Sequence, residues 1–83
     1  MKFIEEPNRF YQVDANHNVI AEINFVDDNS SQTITVNRTF VNPDYRGQGL
    51  AKQLVDLVIT KAAKESKKII PVCSYVQKVL DKE

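Results

Sequence analysis

A chain of 83 residues, 42% of them apolar, has enough hydrophobic content for one domain around one core and too much for disorder. Its 11 basic residues balance 11 acidic ones, which argues against a nucleic-acid binder, since that would need a basic surplus on its contact face. A single cysteine excludes an internal disulfide, and with no signal peptide or long apolar run the expectation is a cytoplasmic protein without a membrane partner.

Residues 3–5 predict a short first strand, and Glu6-Pro7-Asn8 a turn. Residues 9–14 predict a second strand, with Phe10, Tyr11 and Val13 as β-formers. Ala15-Asn16-His17-Asn18 is turn chemistry, rich in residues that tolerate left-handed backbone. Residues 19–26 alternate, with Val19, Ala21, Ile23 and Phe25 on one side and Glu22 and Asn24 on the other, so the two strands form a hairpin. After the polar turn Asp27-Asp28-Asn29-Ser30-Ser31 comes the longest strand, residues 32–41. Strict alternation puts Ile34, Val36 and Phe40 on one face, with Arg38 interrupting the row, and Thr33, Thr35, Asn37, Thr39 and Val41 on the other. The result is an antiparallel meander.

Asn42-Pro43-Asp44-Tyr45 breaks the sheet, because proline fixes φ and lacks an N–H. From Gly47 to about Ser66 the period is helical: Leu50, Leu54, Val58 and Ala62 step by four, flanked by Ala51, Val55 and Leu57, a stripe that can pack on the meander. Ile69-Ile70-Pro71-Val72 predicts a short buried strand. Strand, long helix and strand make a βαβ unit, so this last strand should run parallel to residues 32–41, loosened by Pro71, which cannot donate to a ladder. Ser74-Tyr75-Val76-Gln77 fits a capping box opening a final helix through Leu80. The expected fold class is mixed α/β (α+β) in one domain over residues 1–83: an antiparallel meander, a long helix, a parallel strand and a short C-terminal helix.

Arg46-Gly47-Gln48-Gly49-Leu50-Ala51 contains the only two glycines of the chain, at the junction of strand and helix. A helix N-terminus carries partial positive charge and unsatisfied N–H groups, so such a turn can hold a phosphate. The charge distribution agrees: residues 1–45 hold 3 basic and 7 acidic side chains, residues 46–83 hold 8 and 4. An anion at the glycine turn is favoured electrostatically, although most of these lysines are expected simply to solvate helix faces.

The strand, the proline bend, Arg46 to Ala51 in the pattern Arg/Gln-x-x-Gly-x-Gly/Ala, the helix and the parallel strand together resemble the GNAT superfamily of acetyl-CoA-dependent N-acetyltransferases. Nearly the whole chain is similar to the minimal single-domain members, marked by Ile69 to Val76, Ile-Ile-Pro-Val-Cys-Ser-Tyr-Val. The resemblance implies acetyl-CoA (coenzyme A) as cosubstrate and an amine, small molecule or protein, as acceptor. It implies that the amides of Gly47, Gln48, Gly49, Leu50 and Ala51, in the motif opened by Arg46, hold the pyrophosphate. Exposed backbone of Phe40 and Val41 would pair with the pantetheine arm, and Lys52 would reach a phosphate.

Cys73 falls just before a helix start, where the helix dipole lowers a thiol's pKa. It reads as nucleophile, pocket lining or small buried hydrophobe, and the resemblance implies one of the first two. Tyr75 has the chemistry to protonate a departing CoA thiolate, as tyrosines near this helix do in the family, or is a core or surface aromatic. Some close relatives have Glu-His before the threonine of the long strand; here Asn37-Arg38-Thr39 offers no base. His17 is expected to be a solvated turn residue, and no cluster of residues suggests a metal. The expected function is acetyl transfer from acetyl-CoA to an unidentified amine, by way of Cys73. The alternatives are a non-catalytic acyl-CoA-binding or sensing module and a protein-interaction domain.

Overall fold

The computed structural model describes residues 3–82. Strands β1 (Ile4–Glu6), β2 (Arg9–Val13), β3 (Val19–Asp28), β4 (Thr33–Val41) and β5 (Lys68–Pro71) form one sheet in chain order. Every neighbouring pair is antiparallel except β4 and β5, which are parallel. Helix α1 (Leu50–Glu65) makes the crossover between them, and α2 (Ser74–Lys82) follows β5. The mixed α/β fold of meander, long helix, parallel strand and short helix is therefore the one expected. Most element boundaries shift by one or two residues, and three of the differences matter here. The second strand of the hairpin runs on to Asp28, because Asp27 and Asp28 pair with Ile34 and Thr33. Helix α1 starts at Leu50 rather than Gly47, because both glycines have positive φ. The last strand covers Lys68–Pro71 rather than residues 69–72, and its alternating exposed and half-exposed residues correct the expectation of a buried strand.

The core forms between one face of the sheet and the apolar stripe of α1. Leu50, Leu54, Val55, Val58 and Ala62 are buried against Phe10, Ile23, Phe25, Ile34 and Val36, and Val76 of α2 closes the layer. The rings of Phe10 and Phe25 meet at 5.0 Å in a tilted arrangement.

Alternation fails in the second half of β4. Asn24 pairs with Arg38 but Phe25 pairs with Val36, so Asn37 is an extra residue, a β-bulge. One extra residue inverts the side-chain order beyond it. Thr39 and Val41, opposite Ile23 and Ala21, join Ile34 and Val36 on the α1 face. Phe40 and Arg38, opposite Glu22 and Asn24, turn to the other face, which corrects the single row expected for Ile34, Val36 and Phe40. There Arg38 reaches Glu22 at 3.7 Å and lies over the Phe40 ring at 5.1 Å.

The parallel pairing also ends at the bulge. The N–H groups of Val72 and Cys73 both donate to the Val36 carbonyl, and β5 gains no register partner beyond it. From Asn37 onward β4 pairs only with β3, which leaves its other edge open.

At the opposite end of the molecule α1 stops at Ser66, in left-handed backbone at φ 55°. The Ser66 and Lys67 N–H groups donate to the carbonyls of Ala63 and Ala62, a Schellman-type ending. Lys67 then turns inward. Its side chain is only 3% exposed, and it bonds Asp27 and, at 2.7 Å, Glu65. Lys61 completes the network, 3.3 Å from Asp27 and 2.6 Å from Glu65. Lys61 and Lys67 are exceptions to the expectation that most of the lysines simply solvate helix faces.

Candidate functional site

The turn before α1 is built by two left-handed glycines, Gly47 at φ 85° and Gly49 at φ 74°. Gly49 is the N-cap and has no side chain to cap the helix. The first intrahelical bond runs from the Gln53 N–H to the Gly49 carbonyl, so the amides of Leu50 and Ala51 come before the ladder begins. A Cβ added at either glycine would meet no atom within 4 Å. Backbone conformation, not crowding, thus demands glycine here, and the space over the turn is open to a ligand. Upstream, the Asn42 side chain caps the single 3-10 turn at Pro43–Tyr45 by accepting from the Asp44 N–H at 3.0 Å. The Arg46 Nε donates to the Val41 carbonyl at 3.4 Å, tying the end of β4 to the glycine turn.

A hollow of about 280 Å³ opens beside this turn, lined by Val41, Tyr45, Arg46, Gly47, Gly49, Leu50, Ala51 and Tyr75. Six expected cofactor residues and one expected catalytic residue therefore meet in one place. Gln48 and Lys52 are exposed on the turn and the first turn of α1, outside that lining, and Lys52 reaches Asp56 at 3.3 Å. The bulge places the Phe40 side chain on the opposite sheet face, so only its backbone lies along the open edge of β4. Tyr45 lines the hollow without having been anticipated; its place after a proline bend was the available signal.

Cys73 is half-buried at the end of β5. Its carbonyl accepts the first bond of α2, from the Gln77 N–H at 3.2 Å, so Cys73 rather than Ser74 is the N-cap residue. The capping box expected from Ser74 does not form, because with Cys73 at the N-cap the third helical residue is Val76, which has no side-chain acceptor. The sulfur lies 3.6 Å from the Thr39 hydroxyl, at the start of α2. Burial pushes the thiol's pKa up, but the Thr39 hydroxyl and the backbone amides of Val76, Tyr75 and Thr39 outweigh it, and the net shift is downward. Thr39 was not anticipated as a partner, because alternation put it on the wrong face.

His17 is exposed in the first hairpin turn at φ 65°, as expected of a turn residue. Among the described residues no group of three or more His, Cys, Asp or Glu is arranged to hold a metal ion, and no helix is long and apolar enough to cross a membrane. A larger hollow, about 510 Å³, lies between β1 and the C-terminal half of α1. It is lined by Glu5, Glu6, Lys61, Lys64 and Glu65 among others, and it includes none of the expected site residues.

Residues 9–83 match the family described as GCN5-related N-acetyl-transferase. No curated protein matches the chain significantly by sequence. Among solved structures, a GCN5-like candidate N-acetyltransferase from Staphylococcus aureus superposes with a TM-score of 0.77 at 33% identity, over 98% of this chain and 78% of its own. A ribosomal-protein-alanine N-acetyltransferase from Brucella melitensis biovar Abortus 2308 superposes at 0.65 with 25% identity, over 89% of this chain and 60% of its own. For a candidate acetyl transferase from Pyrococcus furiosus the values are 0.59 and 16%, over 78% and 47%, a likeness of fold alone.

Proposed function

Since the chain belongs to the GCN5-related N-acetyltransferase family, we propose that it transfers an acetyl group from acetyl-CoA to an amine, with Cys73 carrying the group between them. The observation that supports this most directly is the glycine turn. Two positive-φ glycines with nothing above them, at a helix start without a side-chain cap, fit a pyrophosphate by charge and by shape. In this reading the amides of Gly47, Gln48, Gly49, Leu50 and Ala51 bind the pyrophosphate, with Arg46 and Lys52 adding positive charge. The open edge of β4 at Phe40 and Val41 takes the extended pantetheine arm as a further strand.

The thioester supplies the activated acetyl group. The Cys73 sulfur anion attacks its carbonyl carbon, a carbon–sulfur bond forms to Cys73, and the bond to the CoA sulfur breaks. Tyr75, which lines the hollow, donates its phenolic proton to the leaving thiolate. The acceptor amine then attacks acetyl-Cys73, the sulfur anion is released, and the proton lost by the amine restores the Tyr75 phenol. Atoms and protons balance over the cycle, with acetyl-CoA and amine giving amide and CoA.

Calorimetric titration with acetyl-CoA, followed by intact-mass analysis, tests both halves. Binding and a one-acetyl adduct at Cys73 are expected, and Cys73→Ala should bind as tightly without being labelled. Unchanged turnover in Cys73→Ala would sink the covalent route. One feature favours a second reading, a non-catalytic acyl-CoA-binding module: Arg38, in the position where some family members carry a base, is engaged with Glu22 on the far face. Tight binding with no transfer to any of a broad panel of amines would decide for it.

A further inference from the structure

The bulge at Asn37 determines which side chain of β4 faces Cys73. In an unbroken strand Arg38 would follow Ile34 and Val36 onto the α1 face and Thr39 would point away. With Asn37 inserted the two exchange. Arg38 turns to Glu22 and the Phe40 ring, and the Thr39 hydroxyl comes to 3.6 Å from the sulfur. We infer that Thr39 is a positioning residue for Cys73, its hydroxyl holding the sulfur at the start of α2 and donating to the anion that acetyl transfer requires; this rests on the Cys73 route proposed above.

Two further features support the assignment. A hydroxyl can serve both states of the sulfur, accepting from the thiol S–H and donating to the anion after rotation about its C–O bond. A threonine in a strand is restricted at χ1, so its oxygen is held in place rather than recruited. The remaining contributors are dipoles as well: the amides of Val76 and Tyr75 from α2 and of Thr39 from β4. Tyr75 is the titratable neighbour on α2. The charged neighbour on β4, Arg38, is turned to the other face.

Alkylation of Cys73 by iodoacetamide as a function of pH tests this without requiring catalysis. Thr39→Val keeps the shape and removes the hydroxyl. Its alkylation midpoint should rise by about one pH unit, while Thr39→Ser should return most of the way to wild type. Acetyl-Cys73 formation in single turnover should fall roughly tenfold near neutral pH in Thr39→Val and recover as pH rises, which lost packing alone would not produce. A Thr39→Val midpoint equal to wild type overturns the inference. Should that variant fail to fold, Thr39→Ala removes the same hydroxyl and is judged by the same shift. If acetyl-CoA never labels Cys73 in the wild type, the covalent route fails, and Thr39 is judged by the alkylation profile alone.

Discussion

Gly49 shows how much a single position can carry. At φ 74° it closes the turn, accepts the first bond of α1 and leaves the space above it open. Gly49→Val forces a β-branched side chain into left-handed backbone, at a cost of about 1–3 kcal/mol. It also fills the open approach, so calorimetry should show acetyl-CoA binding weakened by more than the loss of stability accounts for. Binding unchanged in a folded Gly49→Val protein would remove the pyrophosphate assignment. This residue was legible in the sequence, because two lone glycines at a strand–helix junction have few other uses. The capping role of Cys73 was not, because Ser74-Tyr75-Val76-Gln77 satisfies the capping pattern equally well on paper. The Cys73 carbonyl, which accepts the first bond of α2 from the Gln77 N–H, decides the matter in favour of Cys73.

At the level of elements, α1 is the member whose form follows most directly from its residues. Its stripe of apolar side chains at helical spacing became the buried face, and Leu54 within it is fully enclosed. Leu54→Ala should cost about 2–5 kcal/mol, transfer and cavity together, read from urea denaturation. A loss below 1 kcal/mol would mean, on the same scale, that the site collapses around the smaller side chain. β4 behaves differently. Its β-branched content announces a strand, but nothing in Gln32 to Val41 marks Asn37 as the residue to be extruded. A bulge is a property of two strands in register, and its position is set by where Phe25 and Val36 must both be buried.

Across the whole molecule, the glycine turn and the ionic network lie at opposite ends of α1. The network of Asp27, Glu65, Lys61 and Lys67 joins the end of β3 to the end of the helix. Hydrogen bonding from Lys67 holds the Asp27 carboxyl below its ordinary range, and Lys61 does the same for Glu65. Both carboxylates are depressed in the folded state, so their contribution is full above their unfolded pKa values and is lost as pH falls through the folded ones. Lys67→Met should therefore lower Tm by several degrees near neutral pH, and the difference should shrink below about pH 4, where the carboxyls take up protons. A Tm difference that persists unchanged into strong acid would assign the loss to packing. The partners span 40 positions of sequence, which is why composition showed only lysines among acids.

The sequence by itself determined the periods, the breaks and the glycine turn, and with them the element order, the parallel return and the family. These are local matters, governed by φ preferences and by which side chains recur at 2 or 3.6 residues. Tertiary structure alone decided which face Thr39 takes, which residue caps α2 and which lysine is buried. Each of these depends on distant segments competing for the same space: β3 against β4 at the bulge, β4 against α2 at the sulfur, and the end of β3 against the end of α1 at Lys67.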